Sequence, residues 1–151
     1  MIQLKRLGHV LLKVADVERS KAFYADLLGF EVVEQDPAHG GVFMTLGEYG
    51  HTIDLSPVDD PETAQPLVPN RLGVHHFAFQ VDSFESLKDA YFTLQDHGVE
   101  VVRTIDHVSQ KSIYFNDPDG NTLEIYYELP DALEIFARGR EDRDVPLVLD
   151  R

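Results

Sequence analysis

Two stretches of the chain, Gly8 to Val14 (GHVLLKV) and His75 to Val81 (HHFAFQV), are versions of one strand with a histidine at the same place. The residues after each stretch also match: Val14 leads into ADVERSKAFYADLLGFEVV, and Val81 leads into DSFESLKDAYFTLQDHGVEVV. His9 therefore pairs with His76, Gly29 with Gly98, and Val32-Val33 with Val101-Val102. Later, HTIDLS at His51 to Ser56 corresponds to NTLEIY at Asn121 to Tyr126, aligning Asp54 with Glu124. Each half thus offers an early histidine and a late carboxylate. With two copies only, each as long as a supersecondary unit, the repeat is a duplication and not a solenoid.

Alternation and turn residues place the elements. In the first copy, a strand at Leu7 to Val14 precedes a helix at Glu18 to Leu28, with Asp16 as N-cap and Gly29 as stop. Strands at about Phe30 to Gln35, Gly41 to Gly47 and His51 to Ser56 complete a βαβββ module. The second copy repeats this order, with strands near Gly73 to Val81, Val99 to Arg103, Gln110 to Asn116 and Asn121 to Glu128, and a helix from Ser83 to Asp96. Asp117-Pro118-Asp119-Gly120 reads as a tight turn. The expected fold is α+β, with two βαβββ modules forming a curved mixed sheet around a metal-binding concavity and helices on the outer face. A single domain over 1–151 divides into module one at about 5–57, a Pro-rich linker at 58–70, module two at about 71–128, and a terminal helix and tail at 129–151. The charged last dozen residues read as an arm or as disordered chain.

Strand parity sorts the side chains by face. Val10, Leu12 and Val14 share a face, as do Phe77, Phe79 and Val81, and Leu123 and Ile125; these faces suit the helices. His9, His76 and Glu124 lie on the opposite faces, with Thr52, Asp54 and Tyr114. Two imidazoles and one carboxylate with open positions describe a facial triad for Fe(II), and Mn(II) or another divalent ion fits similar ligands. The absence of cysteine removes thiolate ligands, disulfides and a cysteine nucleophile together. Thirteen Lys and Arg against 27 Asp and Glu give a net charge of −14, which repels phosphate backbones and argues against nucleic-acid binding. No apolar run suits a membrane span and no signal peptide is visible, so the expected location is cytoplasmic with no membrane partner.

The duplicated βαβββ pattern, with His-x-Ala-Phe-x-Val from His76 and Asp-Pro-Asp-Gly-Asn-x-x-Glu from Asp117, resembles the vicinal oxygen chelate superfamily over about residues 5–128. This superfamily includes glyoxalase I, extradiol dioxygenases, epimerases, fosfomycin-resistance enzymes and bleomycin-binding proteins. Within it, the segment from Ile105 to Glu124 looks like the extradiol dioxygenase signature at every fixed position. The resemblance implies that His9, His76 and Glu124 hold Fe(II). It also implies that His107 and Tyr114 contact the substrate oxygens and that His51 acts as acid and base beside dioxygen. The implied partners are a catechol-type aromatic diol and dioxygen, and the implied assembly is a homodimer.

Two features depart from that pattern. Extradiol enzymes usually carry a small uncharged residue where Asp54 stands, whereas glyoxalase I places a fourth metal ligand there. His51 shares parity with Ile53, so it reaches the polar face only where the strand begins irregularly. A glyoxalase- or epimerase-like isomerase using Asp54 as a further ligand, and a drug-sequestering binding protein, therefore stand as alternatives. His39 in a turn, His75 on the helix-facing side and His97 at a helix end carry less signal.

Overall fold

In the computed structural model, residues 1–66, 68, 72–140 and 143–151 are described; parts of the linker and of the tail lie outside them. The chain divides into two compact units, Met1–Pro66 and Leu67–Arg151.

The first unit is built on β1 (Val10–Val14), α1 (Val17–Ala22), β2 (Glu31–Gln35), β3 (Val42–Thr45) and β4 (Ile53–Pro57). Asp16 is extended and accepts a hydrogen bond from Arg19 N at 3.0 Å, which satisfies an otherwise orphaned amide and starts α1. A π-helical segment at Phe23–Leu27 continues the helix. Gly29, at φ 79°, then turns the chain into β2 in a conformation that disfavours a side chain. The sheet order is β1-β4-β3-β2, with β1 parallel to β4 and the other pairs antiparallel. Register aligns Leu12 with Leu55 and Met44 with Ile53, and all four side chains are buried with Tyr24 and Phe30. The reverse face carries Leu11, Phe43 and Asp54 side by side.

In the second unit, β5 (Phe77–Val81), α2 (Phe84–Asp96), β6 (Val101–Asp106), β7 (Gln110–Asn116) and β8 (Thr122–Glu128) repeat that order. The Ser83 hydroxyl caps α2 by accepting from Ser86 N at 3.0 Å. After α3 (Ala132–Arg138) comes a short strand, β9 (Val145–Pro146), so the sheet order is β5-β8-β7-β6-β9. Leu123, Ile113 and Phe115 are fully buried on the face that receives Leu87 and Leu94 of α2. The Asp117 carboxylate accepts from Asp119 N and Asn121 N, fixing the turn that sets Tyr114 opposite Glu124. Each sheet is mixed, as the duplication requires. Both also carry a bulge at the equivalent place, between Val32 and Glu34 and between Val101 and Arg103.

The charged tail is ordered chain where it is described: Ile105 pairs with Pro146 and Asp106 with Val145. Because Phe115 has no exposed surface, Phe115→Ala leaves a cavity that this packing cannot fully close. The expected loss is about 3–5 kcal/mol of stability, read from the denaturant midpoint of full-length protein.

Candidate metal and substrate site

In the first unit, β1 begins at Val10 and β4 at Ile53, so His9 and His51 stand just ahead of their strands. The irregular start frees His51 from strict alternation. Its Nδ1 lies 2.7 Å from Asp54 Oδ1, and its ring stacks on His9 with centroids 4.4 Å apart. Asp54 Oδ2 is 3.7 Å from His9 Nε2. Phe43 meets the His51 ring edge-on. His9, His51 and Asp54 each offer a ligand atom, and these atoms lie within 4.8 Å of one another. Asp54 is only 3% exposed, and a carboxylate buried to that degree needs positive charge or donors close by. Beside it, an open depression of about 400 Å³ is lined by Leu11, Lys13, His39, Phe43 and Asp54, among others.

The second unit gathers the remaining candidates. His76 Nε2 lies 2.9 Å from Glu124 Oε2, and Glu124 is buried to the same degree as Asp54. Gln110 donates to Glu124 Oε1 at 3.0 Å, and His75 Nδ1 lies 2.8 Å from His76 Nδ1. A register row runs from Ala78 through Glu124 and Tyr114 to Arg103, so the small alanine and the cation of Arg103 flank the pair. The Arg103 guanidinium sits 4.1 Å from the Tyr114 ring centroid, within cation–π range. Tyr114 meets the ring of His76 edge-on. Burial, and next the charge of Glu124, push the Tyr114 hydroxyl up to about 12, so it stays a protonated donor. His107 Nε2 lies 2.9 Å from that hydroxyl.

The structure thus groups His9, His51 and Asp54 in one unit, and His76, His107, Tyr114 and Glu124 in the other. In each unit the donors are nitrogen and oxygen alone, which suits a divalent ion, and in the second the 2.9 Å between His76 Nε2 and Glu124 Oε2 matches adjacent ligands on an ion with bonds of about 2.1 Å. His39 bonds Asp36, and His97 Nδ1 lies 2.8 Å from Thr93 O at the end of α2, so each has a local partner. Sequence reasoning passed over Gln110 and Asp144. Gln110 was discoverable, since it shares strand parity with Tyr114; Asp144, next to a two-residue strand, had no periodic signal.

A profile of the Glyoxalase/Bleomycin resistance protein/Dioxygenase superfamily matches residues 6–125. The chain belongs to this superfamily. Among its relatives, biphenyl-2,3-diol 1,2-dioxygenase 2 of Rhodococcus globerulus is 31% identical over 144 residues, covering 93% of this chain and 74% of its own. Metallothiol transferase FosB of Staphylococcus saprophyticus is 30% identical over 141 residues, covering 88% of this chain and 84% of its own. The fold matches that of a mutant of the fosfomycin resistance protein FosX from Listeria monocytogenes, solved with Mn(II) and 1S,2S-dihydroxypropylphosphonic acid. The TM-score is 0.69 at 21% identity, covering 91% of this chain and all of that one. Superfamily membership accounts for the duplicated α+β modules. The relatives' differing activities leave the reaction to be argued from the site. Among the described residues no helix is long and apolar enough to cross a membrane.

Proposed function

We propose that the protein is an Fe(II)-dependent extradiol dioxygenase that opens a catechol-type ring beside the diol. The observation that carries this reading is the contact of His107 with the Tyr114 hydroxyl at 2.9 Å, one strand away from the buried Glu124. These are the positions of the extradiol-like segment, and the dioxygenase relative spans nearly the whole chain. In this reading His9, His76 and Glu124 hold the ion. The metal, when bound, supplies positive charge and open positions at which both diol oxygens and dioxygen can bind.

The chain's own groups do the rest. Tyr114, kept protonated, gives its one O–H to His107 Nε2, and its oxygen, so oriented, accepts a hydrogen bond from a substrate hydroxyl. His51 Nδ1 is engaged by Asp54, which leaves Nε2 to take the catechol proton and return it to the opened product. Catechol and dioxygen combine with both oxygen atoms retained, giving a hydroxymuconic semialdehyde-type product without an external reductant.

Asp54 favours a second reading. Its spacing from His9 suits a further metal ligand, which fits an isomerase that needs no dioxygen. Anaerobic loading with Fe(II), followed by oxygen and a panel of catechols, separates the two. The expected result is a yellow ring-opened product formed with stoichiometric oxygen uptake. Loaded protein that consumes no oxygen with any catechol, yet isomerises a hemithioacetal, moves the assignment to the second reading.

A further inference from the structure

The C-terminal segment reaches back to the substrate-facing histidine of the second unit. His107 Nδ1 lies 2.8 Å from Asp144 Oδ2, while its Nε2 faces the Tyr114 hydroxyl at 2.9 Å. His107 is the more enclosed partner, 15% exposed at the side chain against 38% for Asp144. Arg140, just after α3, joins the two ends by donating to His107 O at 2.9 Å and to Asp144 Oδ1 at 3.2 Å. Immediately beyond Asp144 the tail is pinned to β6. Thr104 Oγ1 donates to Leu147 O at 2.7 Å, and Leu147 N donates to Thr104 O at 3.2 Å. Asp144 is therefore held from both sides of its own position in the chain.

An ionised carboxylate can only accept hydrogen bonds. A neutral imidazole bonded to one must then carry its proton on the bonded nitrogen and leave a lone pair on the other. Without that carboxylate, nothing else described at Nδ1 selects between the two tautomers. We propose that Asp144 is the positioning residue of His107: it fixes the Nδ1–H tautomer and the ring plane, so that Nε2 accepts the Tyr114 O–H and aims that hydroxyl. The tail is on this view part of the site's support. The consequence for turnover rests on the dioxygenase reading; the tautomer itself does not.

The test uses full-length protein carrying ¹⁵N-histidine. Two-bond proton–nitrogen correlation spectra separate the two tautomers, and His107→Gln identifies the His107 signals. The parent is expected to show Nδ1 protonated and Nε2 unprotonated. Asp144→Ala is expected to lose that preference, and Asp144→Glu to restore it. The side chain lies at the surface, so folding is expected to persist, and circular dichroism verifies this. With a catechol that the Fe(II)-loaded parent turns over, Asp144→Ala should lower kcat about ten- to a hundredfold while KM stays within about twofold. An unchanged His107 tautomer in folded Asp144→Ala protein overturns the proposal, whatever the parent does to catechols. A lost tautomer in a protein whose parent cleaves no catechol upholds the positioning role and removes the dioxygenase reading instead.

Discussion

Replacing His76 with alanine is expected to weaken divalent-metal binding by at least about a hundredfold, since loss of an outer partner alone commonly costs about 10–100-fold. In the structure His76 Nε2 and Glu124 Oε2 are 2.9 Å apart, and the carboxylate is 3% exposed. A metal ion placed there exchanges an imidazole–carboxylate contact for two coordinate bonds and offsets the buried charge. Calorimetric titration of full-length protein with Mn(II) measures the change without requiring turnover. Glu124→Gln keeps the side-chain volume and removes the charge, so it guards against a folding defect in the alanine variant. Parent-like affinity in both variants would sink the assignment of this pair as ligands.

The second large effect is expected at His107. Removing a well-placed acid, base or orienting imidazole lowers rate by about two to four orders of magnitude. His107→Ala takes away the imidazole 2.9 Å from the Tyr114 hydroxyl and leaves that hydroxyl to its bonds with Glu124 and Ser112. The described contacts of His107 are with Tyr114, Asp144, Arg140 and the neighbouring hairpin, so metal retention should match the parent. The expected outcome is Mn(II) affinity within about threefold of the parent and catechol turnover reduced by about a hundredfold or more. Loss of metal together with activity would instead place His107 among the ligands; full activity would remove it from the reaction.

Much of the architecture was legible because the duplication lets each module check the other. The β7 limits, Gln110 to Asn116, follow from alternation and from the Asp-Pro-Asp-Gly turn, and the structure has the same bounds. Parity placed Asp54 and Glu124 on the faces opposite the helices, and both prove deeply buried there. Strand starts were harder to read. Leu7 to His9 alternate as a strand would, yet pairing with β4 begins only at Val10. The π-helical step at Phe23–Leu27 was invisible, since over five residues its spacing hardly differs from that of an α-helix. His51 shows why parity alone misleads. Its side chain finds Asp54 because the backbone ahead of Ile53 is not yet strand. The Asp144 contact spans 37 positions to a residue outside any repeat, and no local pattern encodes such a pairing.

The two bulges, one in each module, also bear on how the protein behaves in crowded solution. A sheet edge presents a row of amides and carbonyls on which another chain can assemble, and a bulge with charged neighbours spoils that template. In the first unit β2 ends the sheet order, and Glu31 and Glu34 flank its kink, so irregularity and negative charge guard the margin. In the second unit β9 covers part of the equivalent margin on β6, with Val145 and Pro146 opposite Asp106 and Ile105. Proline there has no amide hydrogen to offer an incoming strand. The chain that follows Asp144 thus has a second consequence: through Val145 and Pro146 it covers part of a sheet edge on which another strand could otherwise assemble.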